Sequence, residues 1–259
     1  MARGKIMDTI MGMATTMITT IPIRTPMPHP IADGDAAALY RLIAWTSPAY
    51  PTGAFSYSHG LEWAAEDGLV PDRAALEAWV GHILEQGAGW SDAVLFAHAY
   101  RATAAGDWTA LDAVADLATA LRATAELALE STQQGAAFLS ITRAAWPAPA
   151  LDRLAQLRAG RPVPLPVAQA AAAAGAVPLP AALAAMLGAL AATLVSAGVR
   201  LVPLGQTDGQ RAIAHLMPVV ARTTERALAA PLDDVGTAAP MVDWASMRHE
   251  TQYTRLFRS

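Results

Sequence analysis

From position 35 onward, apolar residues recur at helical spacing almost without a break. Leu39, Leu42 and Ile43 form the first set, opened by Asp35 as a cap and ended by Pro48 and Pro51. Asp72 precedes a second set, Leu76, Trp79, Val80, Ile83 and Leu84, which Gly87 and Gly89 close. Ser91 opens a third (Val94, Leu95, His98, Ala99), and Asp107 a fourth (Leu111, Val114, Leu117). A long helix is predicted over 122–145, with Leu127, Leu129, Phe138, Leu139 and Ile141 mostly inward and Gly135 as its weak point. Pro147 and Pro149 break the chain before a short helix over 151–158. Pro180 stands at the first position of an apolar helix carrying Leu183, Leu187, Leu190 and Leu194. Thr207 or Asp208 caps the next, with Ile213, Leu216, Met217 and Val220 on one face and Pro218 as an interruption. No stretch alternates with period two for long, and no internal repeat is present. The pattern predicts an all-α fold without a sheet, a single domain of about eight to ten helices over 36–259. Residues 1–35, with Pro22, Pro26, Pro28 and Pro30 and no sustained periodicity, read as a flexible N-terminal extension.

Composition narrows the function classes. With 54% hydrophobic and only 15% charged residues among 259, most of the chain has enough apolar surface to fold. There is no cysteine, so a disulfide scaffold, a thiolate metal site and a cysteine nucleophile are excluded. The net charge of −4 argues against a nucleic-acid partner. Two apolar stretches resemble membrane signals. Residues 9–23 are diluted by Thr15, Thr16, Thr19 and Thr20 and lack a cleavage site, so they do not read as a signal peptide. Residues 181–199 are long enough to span a bilayer, but the leucines keep helical spacing among alanines and no aromatic or basic belt flanks them. A buried core helix is expected there, and no membrane partner.

Candidate chemistry is sparse. His29, His59, His82, His98, His215 and His249 show no metal-binding spacing, so no intrachain metal site is expected. A site shared across a dimer through His249 stays open. Ser56 and Ser58 lie beside His59, with Glu62 one turn on; this raises a serine hydrolase as the alternative function. The segment has no nucleophile elbow, and a loop-to-helix junction with serine capping is the favoured reading, so no catalytic residue is assigned. Gly205, Gln206, Thr207, Asp208, Gly209 and Gln210 lack the Lys-Ser/Thr of a phosphate loop, and Asp208 repels phosphate. They read as a turn with a capped helix, or as a hydrogen-bonding surface for a partner. Residues 246–259 mix Tyr253, Leu256 and Phe257 with Arg248, Arg255 and Arg258, the composition of an interface hot spot. Helical spacing would put Met247, Glu250, Thr254 and Phe257 on one face. The segment either folds on meeting a partner or docks on its own chain.

Three separated blocks resemble one known family. Ser47 to Glu62, reading SPAYPTGAFSYSHGLE, is similar to the N-terminal motif of the urease accessory protein family UreF. Leu201 to Gln210, reading LVPLGQTDGQ, resembles its second motif, and Ser246 to Ser259 its C-terminal block. Glu130 to Gly135 is similar in style, and the resemblance covers about 36–259. It departs from the family in the alanine-rich stretch 162–190, where Met186 and Leu187 stand in place of a tyrosine. The resemblance implies an all-α, often homodimeric, cytoplasmic chaperone for nickel insertion that is not an enzyme. It implies no tightly bound cofactor; Ni(II) and GTP are handled by partners. Those partners are UreD (also called UreH), the GTPase UreG and apo-urease, with an influence on GTP hydrolysis whose sign stays open. By the motif match, Arg248, His249, Glu250, Tyr253, Arg255, Leu256 and Phe257 inherit partner binding, through a tail that becomes ordered against UreD. Gly205 to Gln210, and Pro51, Gly53, Phe55, Ser56, Tyr57, His59 and Glu62, inherit a place on the assembly surface.

Overall fold

The computed structural model describes residues 33–259. The described residues form eleven α-helices and two short 3-10 turns, with no strand among them. Ten of the helices have nine residues or more; the further one, α2 (Leu61–Glu66), is a single short turn-and-a-half. The all-α architecture is therefore as predicted. The proposed extension 1–35 lies mostly outside the described residues. Its last three residues belong to α1 (Asp33–Trp45), so Asp35 sits inside the first turn rather than at a cap.

Caps fix several boundaries as the sequence indicates. Asp72 accepts from the Ala75 amide (2.9 Å) at the start of α3 (Arg73–Gln86). Asp107 does the same for Ala110 (2.9 Å) in α5 (Trp108–Ala120). Elsewhere the structure differs. α4 (Ala88–Ala105) begins three residues before Ser91, whose hydroxyl instead donates to the Gly236 carbonyl (2.9 Å). α6 (Ala125–Ala145) starts behind the Thr124 cap, and Leu129 and Ile141 face solvent rather than the core. α7 spans Pro149–Leu157. α8 (Leu165–Ala173) has no counterpart in the periodicity, because a run of alanines has no apolar face to detect.

α4 is the centre of the packing, touching α3, α5 and α8 as well as α9 (Leu179–Leu201) and α10 (Gln206–Ala229). Small residues let these helices approach closely. A Cβ on Gly135 of α6 would lie 2.0 Å from the Val163 carbonyl oxygen ahead of α8, so only glycine fits that crossing. The predicted weak point of α6 is thus a packing requirement. α9 is the one helix among the described residues long and apolar enough to cross a membrane, and half of its most apolar window is buried inside the fold. α10 runs through Pro218 without a break. Finally α11 (Pro240–His249) packs on α2 and α6, and the chain beyond it is not helical.

Candidate functional site

The site begins where the chain turns into α2. His59 has φ 59° and Gly60 φ 77°, two consecutive left-handed residues. Left-handed backbone is strained for histidine and free for glycine. Gly60 is needed for a second reason: a Cβ there would fall 2.7 Å from the Ser246 amide nitrogen of α11. Ser58, buried just before the turn, accepts from the Glu62 amide (3.2 Å). That is the serine-capped junction the sequence suggests.

Three helix ends then converge. Glu62 lies in the first turn of α2, Glu126 in the first turn of α6, and His249 in the last turn of α11. Acids at helix starts and a base at a helix end complement the helix dipoles. His249 is fully buried. Its Nδ1 lies 2.7 Å from Glu126 Oε2, and its Nε2 3.1 Å from Glu62 Oε2. Glu126 Oε1 accepts from Arg255 (2.8 Å). Glu62 also accepts from the Leu256 amide (2.7 Å) and the Phe257 amide (2.9 Å). Burying two carboxylates is tolerable only because each is paired and hydrogen-bonded this fully.

The rest of the C-terminal segment closes onto the same block. The Arg258 amide donates to the Ser56 carbonyl (2.7 Å), and the Ser58 amide to the Ser259 carbonyl (2.8 Å). The Ser58 hydroxyl donates to that same carbonyl, and the Ser259 hydroxyl to Glu130 Oε2 (2.7 Å). Phe257 is buried beneath Arg200, whose guanidinium stands 4.2 Å from the ring centre and donates to the Phe55 carbonyl (3.1 Å). Between these anchors the segment bows outward, leaving Tyr253 fully exposed and Leu256 largely so. Of the two readings of 246–259, the structure has the docked one, and the expected helical faces beyond His249 do not form.

Beneath the fastening lies a cavity of about 210 Å³, lined in part by His59, Asp92, Arg122, Glu130, Gln134 and Gln169. Arg122 and Asp92 form a two-pronged pair (2.6 and 3.3 Å). His59 Nδ1 is 3.4 Å from Glu130 Oε2, yet neither ring nitrogen has a hydrogen-bond partner. Burial pushes the Glu130 carboxyl up, but the neighbouring His59, the hydrogen bond from Ser259 and the charge of Arg122 outweigh it and hold it below its ordinary range. Tyr57 is raised by burial and donates to Gln133 (2.8 Å).

This geometry bears on three alternatives that the sequence leaves open. No Ser–His pair is assembled, since Ser58 is spent on the Ser259 carbonyl and His59 faces Glu130. Glu62 pairs with His249, not with His59, because His59 precedes the helix instead of lying on it. His249 is interior, so it has no surface to share across a dimer. The structure brings the N-terminal and C-terminal blocks together; Pro51 and Phe55 are exposed on that side, Gly53 is left-handed at φ 76°, and Glu250 and Arg248 face outward. It does not bring in Gly205 to Gln210. There Gly205, not Thr207 or Asp208, precedes α10, with no side-chain cap. Asp208 pairs with Arg211 (3.1 Å) and approaches Arg73 of α3 (3.9 Å). Gln206, Thr207 and Gln210 are exposed, and Gly209 is buried against Val199. Sequence reasoning missed Glu126, Arg122 and Arg200. The available signal was an acid in the first turn of an apolar helix, at Glu126.

The UreF family model matches residues 70–217. The chain belongs to the UreF family. Three urease accessory proteins UreF illustrate the closeness across nearly the whole length. The protein from Rhodopseudomonas palustris strain BisB5 is 52% identical over 244 residues, covering 94% of this chain and all of the relative. That from Bradyrhizobium diazoefficiens is 50% identical over 230 residues, covering 88% of this chain and 95% of the relative. A third, from Granulibacter bethesdensis, is 51% identical over 233 residues, covering 89% and 98%. The UreF relatives are named as accessory proteins and not as enzymes. Among the described residues of this UreF-family chain, no three His, Asp or Glu side chains are grouped as a metal site would need.

Proposed function

We propose that this chain is a urease maturation chaperone that joins UreD (UreH) and the GTPase UreG in the complex delivering nickel to apo-urease. The observation that carries this is the fastened C-terminal segment, in a chain at about half identity to UreF proteins over nearly their full length. A loop tied down by the Leu256, Phe257 and Arg258 amides, displaying Tyr253 and Leu256 beside the exposed Arg248 of α11, is suited to binding a protein, since part of its ordering entropy is already spent. In this reading the loop meets UreD, while Pro51, Phe55 and the exposed amides Gln206, Thr207 and Gln210 complete the assembly surface. The chain works in the cytoplasm, as a homodimer, and influences GTP hydrolysis only through UreG. Nickel is cargo of the complex.

Co-expression with UreD and UreG from the same organism tests this. The full chain should recover both partners. Tyr253→Ala combined with Leu256→Ala should keep the fold and lose UreD by at least about tenfold in affinity, as for removal of a hot-spot pair. Recovery of neither partner by the full chain would sink the adaptor reading, and undiminished UreD binding by the double variant would sink the assigned surface.

A further inference from the structure

We infer that the cavity beneath the C-terminal segment is a binding site for a small uncharged molecule with a primary carboxamide group. Buried polar side-chain atoms almost always have a hydrogen-bond partner, so a group of them without one points to a ligand that supplies it. Among the described residues, Trp45 Nε1, both ring nitrogens of His59, Ser131 Oγ and Gln169 Oε1 lack a partner, and all four residues line this one cavity. Trp45, His59 and Ser131 are each more than nine-tenths buried. They come from separate elements: Trp45 ends α1, His59 precedes α2, Ser131 lies in α6 and Gln169 in α8. His59 is brought there by a left-handed backbone, φ 59°, a conformation that is costly for histidine. Pro48 and Phe55, both exposed, also line the cavity, so it opens to solvent.

The wall selects against charge. Arg122 is spent on Asp92 and on the Ala118 carbonyl (3.2 Å). Glu130 has His59 beside it and accepts from the Ser259 hydroxyl. Arg200, exposed at the rim, donates to the Ser196 (3.3 Å) and Phe55 carbonyls. A charged ligand would lose its hydration and meet no free counter-charge. Three of the unpartnered groups are uncharged by nature: the Trp45 indole N–H donates, the Gln169 amide oxygen accepts, and the Ser131 hydroxyl does either. A primary carboxamide answers all three, with a carbonyl oxygen for the donors and two N–H bonds for the acceptors. Leu127, Leu165, Met186 and Leu190 supply apolar wall for a short hydrocarbon part. At about 210 Å³ the cavity is smaller than the roughly 300–1,000 Å³ of pockets for drug-sized ligands, which limits that part to a few carbons. The site stands apart from the assembly reading, because it is a property of the free chain.

Butyramide is the probe, titrated into the full chain and followed by saturation-transfer difference NMR. It should bind saturably. Butyrate, n-butylammonium and 1-butanol, of the same chain length, should each bind at least about fivefold more weakly. Gln169→Leu and Ser131→Ala should each raise the Kd for butyramide by about three- to tenfold, the loss of one hydrogen bond. Thr223→Val, at a buried unpartnered hydroxyl of α10 outside the cavity, should leave the Kd unchanged. No saturable binding of butyramide up to about 50 mM overturns the site. So does either ion binding as tightly as the amide, since the wall would then not select a neutral ligand. 1-Butanol binding as tightly would reduce the site to an apolar hollow and overturns it as well, as does a Kd that both cavity variants leave unmoved. If thermal unfolding shows that Gln169→Leu has not folded, Ser131→Ala, which removes a single oxygen, decides alone.

Discussion

Glu62 concentrates more of the structure than any neighbour of its size. One carboxylate ties the start of α2 to the end of α11 and to two amides of the C-terminal segment. Removing one partner of a buried pair leaves the rest uncompensated, at about 3–5 kcal/mol. Glu62→Ala is therefore expected to cost about that much in denaturant unfolding, while Glu62→Gln, which keeps an acceptor, should cost clearly less. Equal losses for the two would show that the charge and not the bonding pattern matters. At this scale the sequence is partly legible. His59, Glu62 and His249 all stand out in motifs, but the pairing does not. Spacing suggests His59 with Glu62, whereas the left-handed turn at His59 and Gly60 sends the histidine to Glu130. A partner 187 residues away in the chain leaves no local trace.

Helices are legible where a polar cap meets an apolar stripe, as at Asp72 and Asp107. They are illegible where the side chains are uniformly small. α8 is packed on both α4 and α6 through alanines, so burial rather than periodicity defines it. That close packing makes a prediction at Gly135. An added methyl would meet the Val163 carbonyl oxygen and the backbone around Pro164, neither of which is a movable side-chain end. Gly135→Ala should destabilise the protein by about 1–3 kcal/mol, as overpacking does, although alanine is the better helix former. A neutral or stabilising result by thermal unfolding would mean that α6 and α8 can separate freely. The sequence leaves open the docking of α11 and of the ten residues after it, since aromatic and arginine content suits both a free and a folded tail.

For the molecule as a whole, Glu130 links α6 to the C-terminal segment and sets a pH dependence. Its carboxyl lies below the ordinary value of 4.5, with burial opposing and His59, Ser259 and Arg122 prevailing. The stability from this group is present above the ordinary carboxylate range and is lost as pH falls through the lower folded-state value. Asp243, pushed up mainly by burial and opposed by His59, acts in the reverse sense and partly offsets it. Urea unfolding at about pH 5 and about pH 3 should show a smaller loss for Glu130→Gln than for the parent. An unchanged loss would mean that Glu130 does not feel its neighbours.

The fastening also has an order in time. α2 and α6 leave the ribosome long before the residues that bind them, 187 residues for Glu62 and 123 for Glu126. Contacts so distant in sequence are expected to close late. Until His249 is made, the nascent protein carries two glutamates in a half-built pocket, each lacking its hydrogen-bond partner. Synthesis of residues 246–259 is what completes that pocket, so the segment is seated only after His249 and Arg255 have both been made.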